Sequence, residues 1–257
     1  MDLEDLEWGD VLADTGEVLV CEALFGEDRV VVKRWRGTAL AAELQARRLV
    51  GAAGPAQPDL LGGGEGWLVL EDLSESMWRP ATGSDLADPS TLRALARWYV
   101  SIHELAPAGL PDPVTDLSGL GEVLDGLLPP DLAAPLADRL GQWSMLVAHQ
   151  PRSLVVGSFD LPAVQVVGAG MDAMLTDLSV AHAGIREEDL VLVRAELDDA
   201  GWQHFHQEYA EVSSRPLDEQ VWLAQRGIGE VFGLLASVLQ GRRPDEARVA
   251  RLQQLLA

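Results

Sequence analysis

Hydrophobic patterning changes once along this chain, near residue 73, and that change restricts the fold more than any other feature. Before it, two β-rich runs, Glu17 to Leu24 and Arg29 to Trp35, flank the turn Phe25-Gly26-Glu27-Asp28 and predict a hairpin. Thr38 stands as the N-cap of a helix that reaches about Val50, where Gly51, Gly54 and Pro55 end it. A second hairpin is expected from Asp59 to Leu61 and Trp67 to Leu70, with Gly62-Gly63-Gly64 read as its turn. Beyond residue 73 the strand candidates shrink to Ser153 to Val156, Val164 to Val167 and Ala173 to Thr176. Helical periodicity dominates instead, over about Ser90 to Leu105, Leu117 to Leu127, Leu132 to His149, Leu190 to Glu211, Leu217 to Leu239 and Glu246 to Leu256. In the first of these, Leu92, Leu95, Ala96, Tyr99, Ile102 and His103 fall on one face. The fold class is therefore α+β and two-lobed: a small β-rich N-lobe with one helix over 1–73, and a larger, mainly helical C-lobe over 74–257.

Charge narrows the function. Forty-one Asp and Glu stand against nineteen Lys and Arg, a formal net charge of −22. Nucleic-acid binding needs cation-rich faces, so a phosphate-backbone binder is excluded. Adsorption to anionic membranes is disfavoured for the same reason. The single cysteine, Cys21, sits in an apolar run and reads as a buried thiol. The acidic N-terminus lacks the pattern of a signal peptide, and no apolar stretch approaches membrane-spanning length. A soluble, cytoplasmic protein is expected. Of the nineteen cationic residues one alone, Lys33, is lysine. Ammonium and guanidinium groups differ in shape and hydration, so a lone lysine among arginines marks a position where arginine does not serve.

Lys33 closes the β-branched run Val30-Val31-Val32, and Glu43 lies ten residues on, inside the following helix. Glu71-Asp72-Leu73 follows the apolar run Trp67-Leu68-Val69-Leu70. Ser101-Ile102-His103 ends the first long helix, Met174-Leu175-Thr176-Asp177 ends a short strand, and Asp189-Leu190 opens a later helix. Taken in order and spacing, these segments resemble the aminoglycoside phosphotransferase and choline kinase-like family, which has a protein-kinase-like fold. The resemblance covers most of the chain. It implies ATP or GTP with Mg²⁺ as cofactors and phosphoryl transfer to a small molecule bearing hydroxyl or amine groups. Lys33 then corresponds to the phosphate-binding lysine and Glu43 to its ion-pair partner. Glu71 and Leu73 correspond to the hinge that meets the base, and Asp177 to the metal ligand.

The same resemblance fails at the catalytic loop, expected near 154–178. The family pattern is His-Gly-Asp, four residues of spacer, then Asn and an apolar strand. Here the matching residues are Val156-Gly157-Ser158, the spacer Phe159-Asp160-Leu161-Pro162, then Ala163 and the strand Val164 to Val167. The position of the base holds Ser158, and a hydroxyl does not take a proton near neutral pH without a base of its own. The position of the metal-binding amide holds Ala163, whose methyl cannot ligate Mg²⁺. Asp160, two residues from the expected base, is the candidate substitute. Its plainer reading is a solvent-facing loop aspartate in an acidic protein. The expected phosphate loop, Asp14-Thr15-Gly16-Glu17, is also poor, with one glycine and two acids. His103 reads as a packed or hydrogen-bonded residue and His182 as a loop residue. His204 and His206, two apart on a helix, diverge and argue against a metal pair. Two readings follow. One is a catalytically impaired, pseudokinase-like member that acts by binding a nucleotide, a metabolite or a protein. The other is an active phosphotransferase with Asp160 as base and Asp177 as metal ligand.

Overall fold

The computed structural model describes residues 3–36, 40–113, 117, 120–125, 128, 130–242 and 245–256. The structure is mixed α+β, rich in sheet in its N-terminal part and helical in its C-terminal part. It divides into two compact units, Met1–Asp112 with Arg152–Ser214, and Pro113–Pro151 with Arg215–Ala257.

In the first unit, β1 (Glu7–Asp14), β2 (Val18–Phe25), β3 (Asp28–Trp35), β4 (Leu60–Gly64) and β5 (Trp67–Glu71) form an antiparallel sheet in the order β1-β2-β3-β5-β4. The β2–β3 hairpin turns through Gly26 at φ +64°, a left-handed conformation that glycine adopts without strain. The bounds of the edge strand β1 are not legible in the sequence. Its residues are exposed along its whole length, so it carries little of the apolar alternation that marks a half-buried strand. One face of the sheet buries Ala23, Val30, Val32 and Val69, and the other buries Trp35, Leu68 and Leu70 under α1 (Leu40–Ala53). The proposed N-cap Thr38 lies outside the described residues.

The triple glycine is not a turn. Gly62, Gly63 and Gly64 continue β4 opposite Val69, Leu68 and Trp67, and the chain reverses at Glu65-Gly66. The Trp67 indole explains the last of them: a Cβ at Gly64 would fall 2.6 Å from its Nε1.

The same unit continues through β6 (Trp78–Pro80) and α2 (Pro89–His103). Asp88 caps α2 by accepting from Thr91 N, and its six periodic residues are all buried. Then come β7 (Ser153–Val155), β8 (Val164–Val167), β9 (Asp172–Leu175) and β10 (His182–Gly184), paired as β6-β8-β9 and β10-β7. The single helix expected from Leu190 to Glu211 is two helices, α5 (Glu187–Glu196) and α6 (Asp199–Val212). They part where Asp198 takes an extended conformation and accepts from Gly201 N at 2.7 Å, so a local cap outcompetes helix continuation.

The second unit contains α3 (Leu120–Asp125), α4 (Pro130–Ala148), α7 (Glu219–Leu239) and α8 (Glu246–Leu256). Gly227 of α7 admits the Trp143 ring of α4, since a Cβ there would lie 2.2 Å from it. Among the described residues, no helix is long and apolar enough to cross a membrane.

Candidate functional site

Every expected site residue falls in the first unit. Lys33 lies near the end of β3, and its ammonium is 3.0 Å from Glu43 Oε1 on α1 and 2.8 Å from Asp177 Oδ1 after β9. Three positions far apart in sequence thus meet at one nitrogen. Lys33 is 8% exposed and Glu43 is fully buried.

A residue the sequence reading did not single out completes this arrangement. Arg47, one helical turn beyond Glu43 and 1% exposed, donates to Glu43 Oε1 from Nε at 3.0 Å and from Nη2 at 2.6 Å. Nη2 also donates to the carbonyl of Thr176, directly before Asp177, at 2.7 Å. Two cations therefore share one buried carboxylate, and Arg47 ties α1 to the backbone that carries Asp177. The i, i+4 spacing of Glu43 and Arg47 was visible in the sequence; their shared burial was not. Burial pushes the Asp177 carboxyl upward, but the Lys33 charge and hydrogen bonds from Lys33 and Ser179 outweigh it and hold it below the usual carboxylate range.

The expected hinge lies at the end of β5. Glu71 N donates to the Asp59 carbonyl at 2.9 Å, and the Leu73 carbonyl accepts from Ser76 N at 3.0 Å and Ser76 Oγ at 2.7 Å. Arg29 donates to Asp72 Oδ2 at 3.1 Å and so ties the start of β3 to this segment. Both Glu71 and Leu73 line an apolar cavity of about 370 Å³.

Gly157 opens the loop at φ +76°, and its fold is held from behind. Asp189, fully buried near the start of α5, accepts from Val156 N and Gly157 N, each at 2.8 Å. The same carboxylate meets His103 Nε2 at 3.0 Å, and His103 Nδ1 lies 2.8 Å from the Tyr209 hydroxyl. A carboxylate only accepts, so Nε2 carries a proton. His103 is thus a buried structural residue. His182 falls on the short strand β10 rather than in a loop, and it packs against Gly157.

At the working end of the loop the side chains do not match this support. Ser158 is half-buried directly after Gly157, and Asp160 is exposed. Leu161–Ala163 form a 3-10 turn in which the Ala163 amide donates to the Asp160 carbonyl at 2.9 Å. Asp160, Ala163, Lys33 and Asp177 line one cavity of about 1060 Å³. The Mg²⁺ implied by the resemblance does not fit this donor set. Asp177 Oδ1 is engaged by Lys33 and Ser179 N, position 163 offers a methyl, and no group of three His, Cys, Asp or Glu side chains converges among the described residues.

No known protein-family model matches the chain, and no curated protein matches it by sequence. Solved structures do. The apoenzyme of the macrolide 2'-phosphotransferase MphH from Brachybacterium faecium superposes with a TM-score of 0.63 at 17% identity, over 99% of this chain and 92% of that one. The choline kinase LicA from Streptococcus pneumoniae gives a TM-score of 0.66 at 14% identity, over 97% and 92%. A choline/ethanolamine kinase family protein from Mesorhizobium loti gives 0.68 at 13% identity, over 97% and 87%. At such identities the likeness establishes architecture, and this protein has the protein-kinase-like fold of the macrolide and aminoglycoside phosphotransferases and the choline kinases.

Proposed function

We propose that this protein is a pseudokinase-like member of that fold, impaired in phosphoryl transfer, which acts by holding a nucleotide-like small molecule in the cleft of its first unit. The observation that carries the reading is the mismatch within the catalytic loop. Asp189 holds Val156 and Gly157 as a working loop requires, yet Ser158 and Ala163 present neither a base nor a metal-binding amide. LicA has been solved with AMP, and an aminoglycoside 2'-phosphotransferase as a GDP complex. Those complexes support nucleotide binding by this fold, and we assign the base to the apolar cavity beside Leu73.

The second reading is an active phosphotransferase with Asp160 as base and Asp177 as metal ligand. It is favoured by one observation, that Asp160 faces the same cavity as Lys33 and Asp177. A turnover assay with ATP and a broad panel of hydroxyl- and amine-bearing acceptors separates the two. The expected result is no acceptor-dependent phosphorylation by the wild type. Acceptor-dependent turnover that disappears in Asp160→Asn would establish the second reading instead.

A further inference from the structure

The cleft has an apolar end and a polar end, and the polar end closes on itself. A site for a phosphate tail needs cations and backbone N–H groups free to meet it. The Lys33 ammonium gives two of its three N–H donors to Glu43 at 3.0 Å and Asp177 at 2.8 Å, so Asp177 competes with a phosphate for it. Arg36, the other cation lining the larger cavity, donates to Asp14 Oδ2 at 3.3 Å and to the Gly16 carbonyl at 3.2 Å. The turn between β1 and β2 consumes three of its own N–H donors. Thr15 N donates to the Val18 carbonyl at 3.0 Å, Gly16 N to Asp14 Oδ1 at 2.8 Å, and Val18 N to Thr15 Oγ1 at 3.1 Å.

The Asp14 carboxylate therefore does in this turn what a bound phosphate would do. One oxygen takes a backbone N–H and the other an arginine. Glu17 and Asp160 add negative charge along the same cavity. The other end is more apolar: Val20, Val31, Leu70, Leu73 and Trp78 line a cavity that suits a flat ring, and two of its acids, Glu22 and Asp72, are paired with Arg29.

We propose that the cleft takes an uncharged nucleoside in preference to the corresponding nucleoside triphosphate, and that divalent metal contributes nothing to its binding. This deepens the binding function proposed above and rests on it. The base fills the apolar end, and the neutral ribose extends toward the acidic end without the repulsion a triphosphate meets there. Glu17 and Asp160 are exposed, so the discrimination weakens as salt screens them.

Calorimetric titration of the full chain with adenosine, guanosine and their mono- and triphosphates, with and without millimolar MgCl₂, tests this. The nucleoside is expected to bind at least about ten-fold more tightly than its triphosphate, with less than about a two-fold change on adding Mg²⁺. Tighter binding of the Mg²⁺–triphosphate overturns this inference and leaves the binding function standing. No binding by any member of either series overturns the binding function as well. A variant isolates the turn. Asp14 is an exposed side chain whose removal leaves the core untouched, and Asp14→Ala frees Gly16 N and Arg36 Nη2, while Arg36 Nη1 stays on the Gly16 carbonyl. Triphosphate affinity is expected to rise about ten-fold in Asp14→Ala while nucleoside affinity holds. An unchanged triphosphate affinity overturns the role given to Asp14.

Discussion

The back of the cleft and the loop after β7 line the same cavity, yet only one of them presents the groups that the family resemblance leads one to expect. At the back, Lys33, Glu43, Arg47 and Asp177 form a continuous chain of short ion pairs, most of it buried. In the loop, Asp189, itself bonded to His103, holds Val156 and Gly157, but the side chains displayed are a serine and an alanine. The difference has a physical cause. A buried charge is also a structural commitment, because removing one partner strands the others away from water. Ser158 and Ala163 are partly exposed, and nothing in the packing depends on a carboxylate or an amide there. Groups that serve only chemistry can change at little cost to stability. Groups that serve both cannot.

The largest expected effect tests the first half of that comparison. Glu43→Ala leaves Lys33 and Arg47 without their shared carboxylate and should cost about 3–5 kcal/mol in urea unfolding. A loss under about 1 kcal/mol would show that the back of the cleft is not the structural commitment it is taken to be.

Gly157→Ala probes the loop frame. At φ +76° an alanine is strained, and its Cβ would meet the Val180 carbonyl at 3.0 Å and the His182 ring at 3.2 Å. A loss of roughly 1–3 kcal/mol is expected by the same measurement. Ser158→Ala, in contrast, should change stability by less than about 0.5 kcal/mol. Equal losses at 157 and 158 would erase the distinction between frame and display.

The smallest effect concerns the histidine that packs on the frame. His182 Nδ1 lies 3.0 Å from the Val180 carbonyl and Nε2 lies 2.9 Å from Glu188 Oε2. Both partners accept, so only the imidazolium satisfies both nitrogens. Burial lowers its pKa, but hydrogen bonds to Glu188 and Val180 and the charges of Glu188 and Asp189 raise it above the ordinary histidine value. A raised folded value means this stabilisation is complete below about pH 6.5 and is lost as pH rises through the folded value. Wild-type Tm should fall by about 2 °C on that alkaline limb relative to Glu188→Gln. Parallel Tm profiles for the two proteins would remove the pH-dependent contact from the frame.

Much of this molecule was legible in the sequence. The hairpin of β2 and β3 follows from its β-branched runs and Gly26, and α2 from the spacing of Leu92, Leu95, Tyr99 and Ile102. The order of Lys33, Glu43, Glu71 and Asp177 indicated the fold before any coordinates. Other features were not legible because their causes are not local. The glycines at 62–64 look like a turn until they pair with β5 and the Trp67 indole is laid against Gly64. The break at Asp198 competes with a helical pattern that runs through it. Arg47 is an ordinary helix arginine until α1 is packed against the backbone of Thr176.

Residue order alone sets the β-rich and helical parts, the strand that carries the single lysine, and the serine and alanine where a base and an amide are expected. These are matters of residue type and short-range period, which a chain carries whether or not it is folded. The tertiary structure alone decided that Lys33 bridges two carboxylates, that Arg47 shares one of them, and that Asp14 fills its own turn. Those facts depend on which charges are brought together away from water, and burial is settled only when distant segments pack.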